Sequence, residues 1–285
     1  MYGVFVSLDC IAEDVESSVM PIDIDFNPVQ GRVAQNNAYQ NCLPSAPLSH
    51  WVQSFWQLNV PSGEYAYSSM PDNCVDLIIN VLNPQDIFMV SPFSSSTVFD
   101  MVGPVAYFGI RFRVLGHQGL IAAPLGEWSA DDVPVSDLLS SQVLHKIYEC
   151  FENPLPFNIR CKKLGTVLLG AMAYPRVDSR LARYVRFCHK NTASNLSLSD
   201  KQCGDFGLSS RQLRRLSQQY LGLSPRELAR VFRFQSMLKT MNAGHAKTAW
   251  ADHYHDQSHF IREFKSLSGF TPYQFKRLSV LYNKN

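Results

Sequence analysis

The chain has 285 residues, 46% of them hydrophobic and 18% charged, which excludes a disordered or fibrous protein and leaves room for two globular domains. Its formal net charge of +2 hides a segregation. Residues 176–285 hold 19 Lys/Arg against 7 Asp/Glu (+12), and residues 1–175 hold 7 against 17 (−10), so a basic module suited to displacing counterions from a polyanion follows an acidic one.

In chain order, the first 115 residues or so read as short strands. The runs Trp51–Val60, Cys74–Leu82, Ile87–Val90 and Tyr107–Val114 are rich in Val, Ile, Phe and Trp. Turn clusters at Pro61–Glu64, Met70–Asn73, Asn83–Asp86 and Pro92–Ser94 separate them, a pattern that predicts an antiparallel sandwich or barrel. From Gly116 to about Ala173 the pattern becomes helical, with apolar residues at Val135, Leu138, Leu139, Val143, Leu144 and Ile147 and a break at Asn153–Pro156. A domain boundary is expected near 174–177, where charge and periodicity both change. From Asp178 onward the whole chain reads as helix, beginning with the apolar stripe Leu181, Val185 and Cys188.

The basic half contains a repeat at an offset of 47 residues. Ser209 aligns with Asp256, Leu213 with Phe260, Arg215 with Arg262, and Leu228 with Phe275. Gly222-Leu223-Ser224-Pro225 aligns with Gly269-Phe270-Thr271-Pro272. In the first copy Gly207 suits a tight turn, and Ser209 with Gln212 forms an S-x-x-Q capping box. The helix that follows buries Leu213, Leu216 and Tyr220 and leaves Arg211, Arg214, Arg215 and Gln218 outward. Gly222 ends it, and Pro225 opens the next helix. In the second copy Asp256 is the cap, Phe260, Phe264 and Leu267 are core, and Gln257, Ser258, Arg262 and Lys265 face outward. Between the copies, one amphipathic helix from Pro225 to about Met241 is expected to act as a spacer. A short helix with a buried stripe and an Arg/Gln face suits the major groove, where arginine bonds bidentately to guanine and glutamine to adenine.

Residues 178–278 resemble the DNA-binding domain of the AraC family of bacterial transcription regulators. The resemblance is carried by Gly207 to Arg215, Asp256 to Phe264 and the Gly269-Phe270-Thr271-Pro272 segment. It implies two helix-turn-helix units (about 196–221 and 246–268) joined by a linker helix (about 225–241). It also implies DNA contacts from Ser210, Arg211, Arg214 and Arg215 in one unit and from Gln257, Ser258, Ile261 and Arg262 in the other, with Lys265 beside them. Two positions depart from the family pattern: His253 stands where a turn glycine is common, and Lys201, Gln202 and Cys203 make the first unit's first helix polar. Further upstream, Pro71 to Ile78 and Phe108 to Arg113 are similar to the sensor domains of one branch of the family. The expected fold is therefore α+β, a cupin-like antiparallel β-barrel with trailing helices (1–175) followed by an all-α domain (176–285). The implied partners are promoter DNA, RNA polymerase, a small-molecule effector and a second copy of the chain, bound through an N-terminal domain that regulates or dimerises. The implied setting is a bacterial cytoplasm, and an activator is the expected kind of regulator.

Chemistry elsewhere is sparse. His50, His117 and His145 lie far apart, short of the clustered ligands a cupin enzyme needs, and no P-loop, G-x-S-x-G or H-E-x-x-H motif occurs. Neither an enzyme nor a cofactor is expected. The seven cysteines include no C-x-x-C pair, so a zinc finger or a disulfide framework is not indicated. A DNA-repair protein with a reactive cysteine remains the alternative, although Cys42, Cys74 and Cys161 lack the spacing for it. Asp72 and Asp76 suggest a carboxylate pair, but Asp72 sits in a Pro-Asp-Asn turn with a turn role by default. Trp51, Trp56, Tyr65, Tyr67, Phe88 and Phe112, with Arg111 and Arg113, suit either a ligand pocket or a packed core. No basic-then-apolar leader or membrane-length apolar run is present, so no membrane partner is expected.

Overall fold

A computed structural model of the chain describes residues 24, 26–33, 38–121, 123–127, 135–173, 177–192, 203–245, 254 and 256–284. Its N-terminal part is one antiparallel sheet. Strands β1 (Tyr39–Cys42), β2 (Val52–Ser69), β3 (Asp76–Asn80), β4 (Ile87–Val90) and β5 (Thr97–Phe112) lie in the order β1-β2-β5-β3-β4. Antiparallel pairing was expected from the turn-punctuated runs; closure into a barrel is not seen. Among the described residues β1 and β4 remain edges, so the sheet is open.

Two strands are longer than their apolar runs. The Pro61–Glu64 cluster does not reverse the chain. It lies inside β2 as an irregularity, where the register against β5 shifts between Val60 and Gly63. Proline cannot donate to a ladder, and a bulge is where a strand tolerates it. Gly103 of β5 makes the bulge possible, since a Cβ there would fall 1.7 Å from the Pro61 carbonyl oxygen. Similarly, β5 extends back from the Tyr107 run to Thr97.

Alternation along the strands gives the sheet two different faces. Phe55, Leu77, Ile79, Phe108, Ile110 and Phe112 form one face and are buried against helices. These are α1 (Val135–Leu138), α2 (Ser141–Glu149) and α3 (Phe157–Ala171), which contribute Leu144, Ile147, Leu164 and Leu168. Ser140 caps α2, its Oγ accepting from the Val143 N–H at 3.3 Å. Trp56, Tyr107 and Arg111 sit on the alternate positions. Gly109 is the small residue in that second row, and a Cβ there would lie 1.9 Å from Cε2 of Trp56. Gly109→Ala is therefore expected to displace the indole and lower stability by roughly 1–3 kcal/mol, as overpacking does. Equilibrium urea unfolding checks this, and an unchanged midpoint would sink it.

The helical part holds α4 (Ser179–Lys190), α5 (Ser210–Leu221), α6 (Pro225–Thr240), α7 (Gln257–Ser268) and the single turn α8 (Pro272–Phe275). A π-helical turn over Met241–His245 follows α6. The expectation of helix to the end fails at the last residues: Leu281–Asn283 form β6, antiparallel to Tyr65–Tyr67 of β2. The region around 174–176 lies outside the described residues. The two parts nevertheless share cores. Ile24, Phe26, Cys74, Val114 and Leu115 pack with Leu181, Leu213 and Phe232, and Met70 packs with Phe234, Met237 and Phe264.

Candidate nucleic-acid interface

Local capping builds the first unit. Gly207 has φ +70°, a conformation that side chains rarely adopt, and it turns the chain into α5. Ser209 Oγ accepts from the Gln212 N–H at 3.2 Å while Gln212 Oε1 accepts from the Ser209 N–H at 2.9 Å. That reciprocal box is the one the S-x-x-Q spacing predicts. Helix α4 steadies the turn from outside: Arg180 Nη1 and Arg183 Nη2 donate to the carbonyls of Gly207 and Phe206 at 3.3 and 3.0 Å. Leu213, Leu216 and Leu221 are buried, and Tyr220 packs beside them half-buried. The helix ends at Gly222, φ +67°, whose N–H donates to the Gln218 carbonyl at 3.0 Å.

The second unit repeats this construction. Asp256 Oδ1 accepts from the His259 N–H at 2.7 Å, and Phe260, Phe264 and Leu267 are buried. Helix α7 ends at Gly269, φ +78°, whose N–H donates to the Lys265 carbonyl at 2.9 Å. The closing bonds of α5 and α7 thus join equivalent residues of the repeat. Ser224 and Thr271 then cap the next helices through matching boxes with Glu227 and Gln274, and proline opens each of them.

The outward residues expected from the sequence lie where helical geometry puts them. Arg211, Arg214 and Arg215 on α5, and Gln257, Ser258, Ile261, Arg262 and Lys265 on α7, are exposed; Ser210 is half-buried. Among the described residues, no ion pair or hydrogen bond ties down the side chains of Arg211, Arg214, Arg215, Arg262 or Lys265. Four guanidinium groups and an ammonium thus stand exposed on the two helices. Ile261 is 38% exposed beside them. His253, His255, Lys201 and Gln202 lie outside the described residues. Cys203 is buried and belongs to the core of the first unit.

One positioning residue has no counterpart in the repeat. Glu263 accepts Arg230 and Arg233 of α6 at 3.1 and 3.3 Å and lies 3.4 Å from His259. It anchors α7 to the linker helix. The equivalent position in the first unit is the buried Leu216, so self-similarity could not reveal it. The only sequence signal was the i, i+3 pair of arginines on α6.

The sheet domain holds both α5 and α7 at their C-terminal ends. In the first unit Leu125 lies 3.4 Å from where a Gly222 Cβ would be, and Gly126 packs against the Gln218 backbone. In the second, the Ser96 N–H donates to the Leu267 carbonyl at 2.6 Å, and Ser96 Oγ would lie 3.3 Å from a Cβ on Gly269. Two loops of one domain therefore touch the two equivalent helix-ending glycines, leaving the arginine faces exposed.

Reactive-cysteine chemistry finds little support. Burial pushes the Cys161 and Cys188 thiols up to about 12 and raises Cys74 well above its usual value, whereas alkyl transfer needs a thiolate. Among the described residues no cluster of three metal-ligating side chains exists, and no helix is long and apolar enough to cross a membrane.

Comparison with known proteins matches residues 202–278 to a helix-turn-helix domain family and residues 40–134 to a domain of unknown function (DUF6597). No curated protein matches the chain. Among solved structures, unsaturated fatty acid bound ToxT from Vibrio cholerae is 11% identical over 85% of this chain and 95% of its own, with a TM-score of 0.41. A second ToxT structure is 12% identical over 85% and 98%, with a TM-score of 0.39. Residues 202–278 are thus a helix-turn-helix domain of the AraC type, the class of module that binds DNA.

Proposed function

We propose that α5 and α7 enter successive major-groove segments on one face of a duplex, with α6 setting their separation at about one helical turn, roughly 34 Å. The observation that carries this reading is the pair of exposed cationic faces, each on a helix started and stopped by equivalent caps. Arg211, Arg214, Arg215 and Arg262 read guanine edges or grip phosphates, and Gln257 offers the amide that pairs with adenine. Ser210, Ser258 and Lys265 contact the phosphate backbone, which fixes register without reading sequence. The sheet domain, docked on both helix ends, sets the activity of the pair in response to a small molecule or a second copy of the chain. Binding near a cytoplasmic promoter then recruits RNA polymerase.

Selection of bound duplexes from a random-sequence pool tests this reading. The expected outcome is a bipartite motif whose halves lie about one helical turn apart. Recovery of a single short motif, or of no motif, overturns the two-helix reading.

A further inference from the structure

On the face of the sheet turned away from α2 and α3 lies a cavity of about 140 Å³, a volume comparable to cavities that hold one benzene-sized ring. Tyr39, Trp56, Tyr67, Phe88, Phe99 and Tyr107, drawn from β1, β2, β4 and β5, line it with aromatic rings. Trp56 is anchored twice. It lies against Gly109, and its indole N–H donates to Asp76 Oδ1 at 3.1 Å.

The floor is charged. Arg111 donates through Nε and Nη2 to Asp76 at 3.1 and 2.8 Å, and its Nη2 lies 3.2 Å from Asp72 Oδ2. One buried guanidinium is thus shared by two buried carboxylates, Asp76 in the lining and Asp72 behind it, and with both ionised the three groups carry one negative charge in excess. Burial pushes the Asp72 carboxyl up to about 6; the Arg111 charge opposes this and the neighbouring Asp76 charge adds to it. The cavity wall includes no lysine. At its edge Asp100 is paired with Lys284 at 3.1 Å.

We propose that this cavity is an effector site for a small organic cation, an ammonium group carried on a ring-sized apolar body. Aromatic faces attract a cation through their quadrupoles, and the Asp76–Arg111–Asp72 cluster at and behind the floor supplies the excess negative charge. A carboxylate ligand would meet the same excess, with Arg111 already committed to two partners.

The site is also connected to the DNA-binding part, and this deepens the reading of the chain as a regulator on which it rests. Gln30 lines the cavity, donates to Asp72 Oδ2 at 2.9 Å, and exchanges hydrogen bonds with the Met70 backbone. The adjacent Val29 exchanges hydrogen bonds with the buried Gln235 of α6 at 2.6 and 3.2 Å. Gln235 also donates to the Pro71 carbonyl at 2.7 Å. A ligand that moves Gln30 or Asp72 therefore acts on the helix between the two recognition helices.

The test is calorimetric titration of the full chain, without DNA, using benzylammonium, benzyl alcohol and benzoate. Benzylammonium is expected to bind about ten-fold tighter than either of the others. Phe88→Leu, which keeps apolar volume but removes a ring, is expected to weaken benzylammonium roughly 2- to 30-fold while leaving benzyl alcohol nearly unchanged. Tightest binding of benzoate, equal binding of all three, or no binding overturns the proposal. Saturating benzylammonium is further expected to change DNA affinity about five-fold or more; an unchanged affinity overturns the effector role. DNA binding by the ligand-free chain is measured separately, so failure of the regulator reading would show there and not in the DNA-free titration.

Discussion

Arg215→Ala and Arg262→Ala are each expected to weaken binding to the selected operator by roughly 1–3 kcal/mol, about 5- to 150-fold. The two arginines occupy equivalent positions 47 residues apart, on helices capped at equivalent positions and closed by equivalent bonds. Both side chains are exposed, and neither has an ion pair or hydrogen bond among the described residues. Truncating them should therefore leave stability within about 0.5 kcal/mol, and any loss of affinity reports on DNA. If both helices engage at once, the double variant loses close to the sum of the single effects, because the sites share no partner. Lys265→Ala serves as the contrasting case: a phosphate contact weakens all sequences alike and lowers the salt slope by about 1. Gel-shift titrations at matched salt, on the operator and on a scrambled duplex, separate these outcomes. Single variants that keep both affinity and preference would remove α5 and α7 from the interface.

The second large effect is on folding. Asp76→Ala is expected to destabilise the chain by about 3–5 kcal/mol, the usual cost of removing one partner from a buried ion pair. Arg111, with 11% of its side chain exposed, would keep only Asp72, and the Trp56 indole N–H would lose its acceptor. Asp76→Asn should cost less, because a carbonyl oxygen can still accept from Trp56. Urea unfolding followed by tryptophan fluorescence measures both variants. A loss under about 1 kcal/mol for the alanine variant would show that water replaces the carboxylate and that the floor of the cavity is open.

The ion-pair cluster also shows where sequence reading stops. Asp72 was read as a turn residue, and it is one, since its Oδ1 accepts from the Cys74 N–H at 3.0 Å. Its second oxygen, however, faces Arg111, 39 positions away in the chain. Nothing local marks that meeting; it follows from the register of β3 on β5, which places Asp76 opposite Arg111. The aromatic residues divide in the same way. Trp56, Tyr67 and Phe88 line the cavity with Arg111, Phe112 belongs to the core beneath the helices, and Tyr65 packs against β6 and its neighbours. Arg113 bonds the Ser49 and Ile24 carbonyls instead. Composition alone made these residues interchangeable, because a pocket and a core draw on the same side chains.

What the sequence determined by itself is the pair of capped helices α5 and α7. Caps, turn glycines and opening prolines act over four or five residues, so Ser209, Gly222, Asp256 and Gly269 specify their own conformations wherever the rest of the chain lies. The charge split and the buried stripes likewise depend only on order along the chain. The tertiary structure decided everything that joins distant segments: the open sheet, the return of Leu281–Asn283 to β2, the anchoring of α7 through Glu263, and the hold of Gln235 on Val29 and Pro71. These contacts depend on which strand pairs with which and which loop reaches which helix end. That choice is made by the burial of whole faces, and no short stretch of residues encodes it.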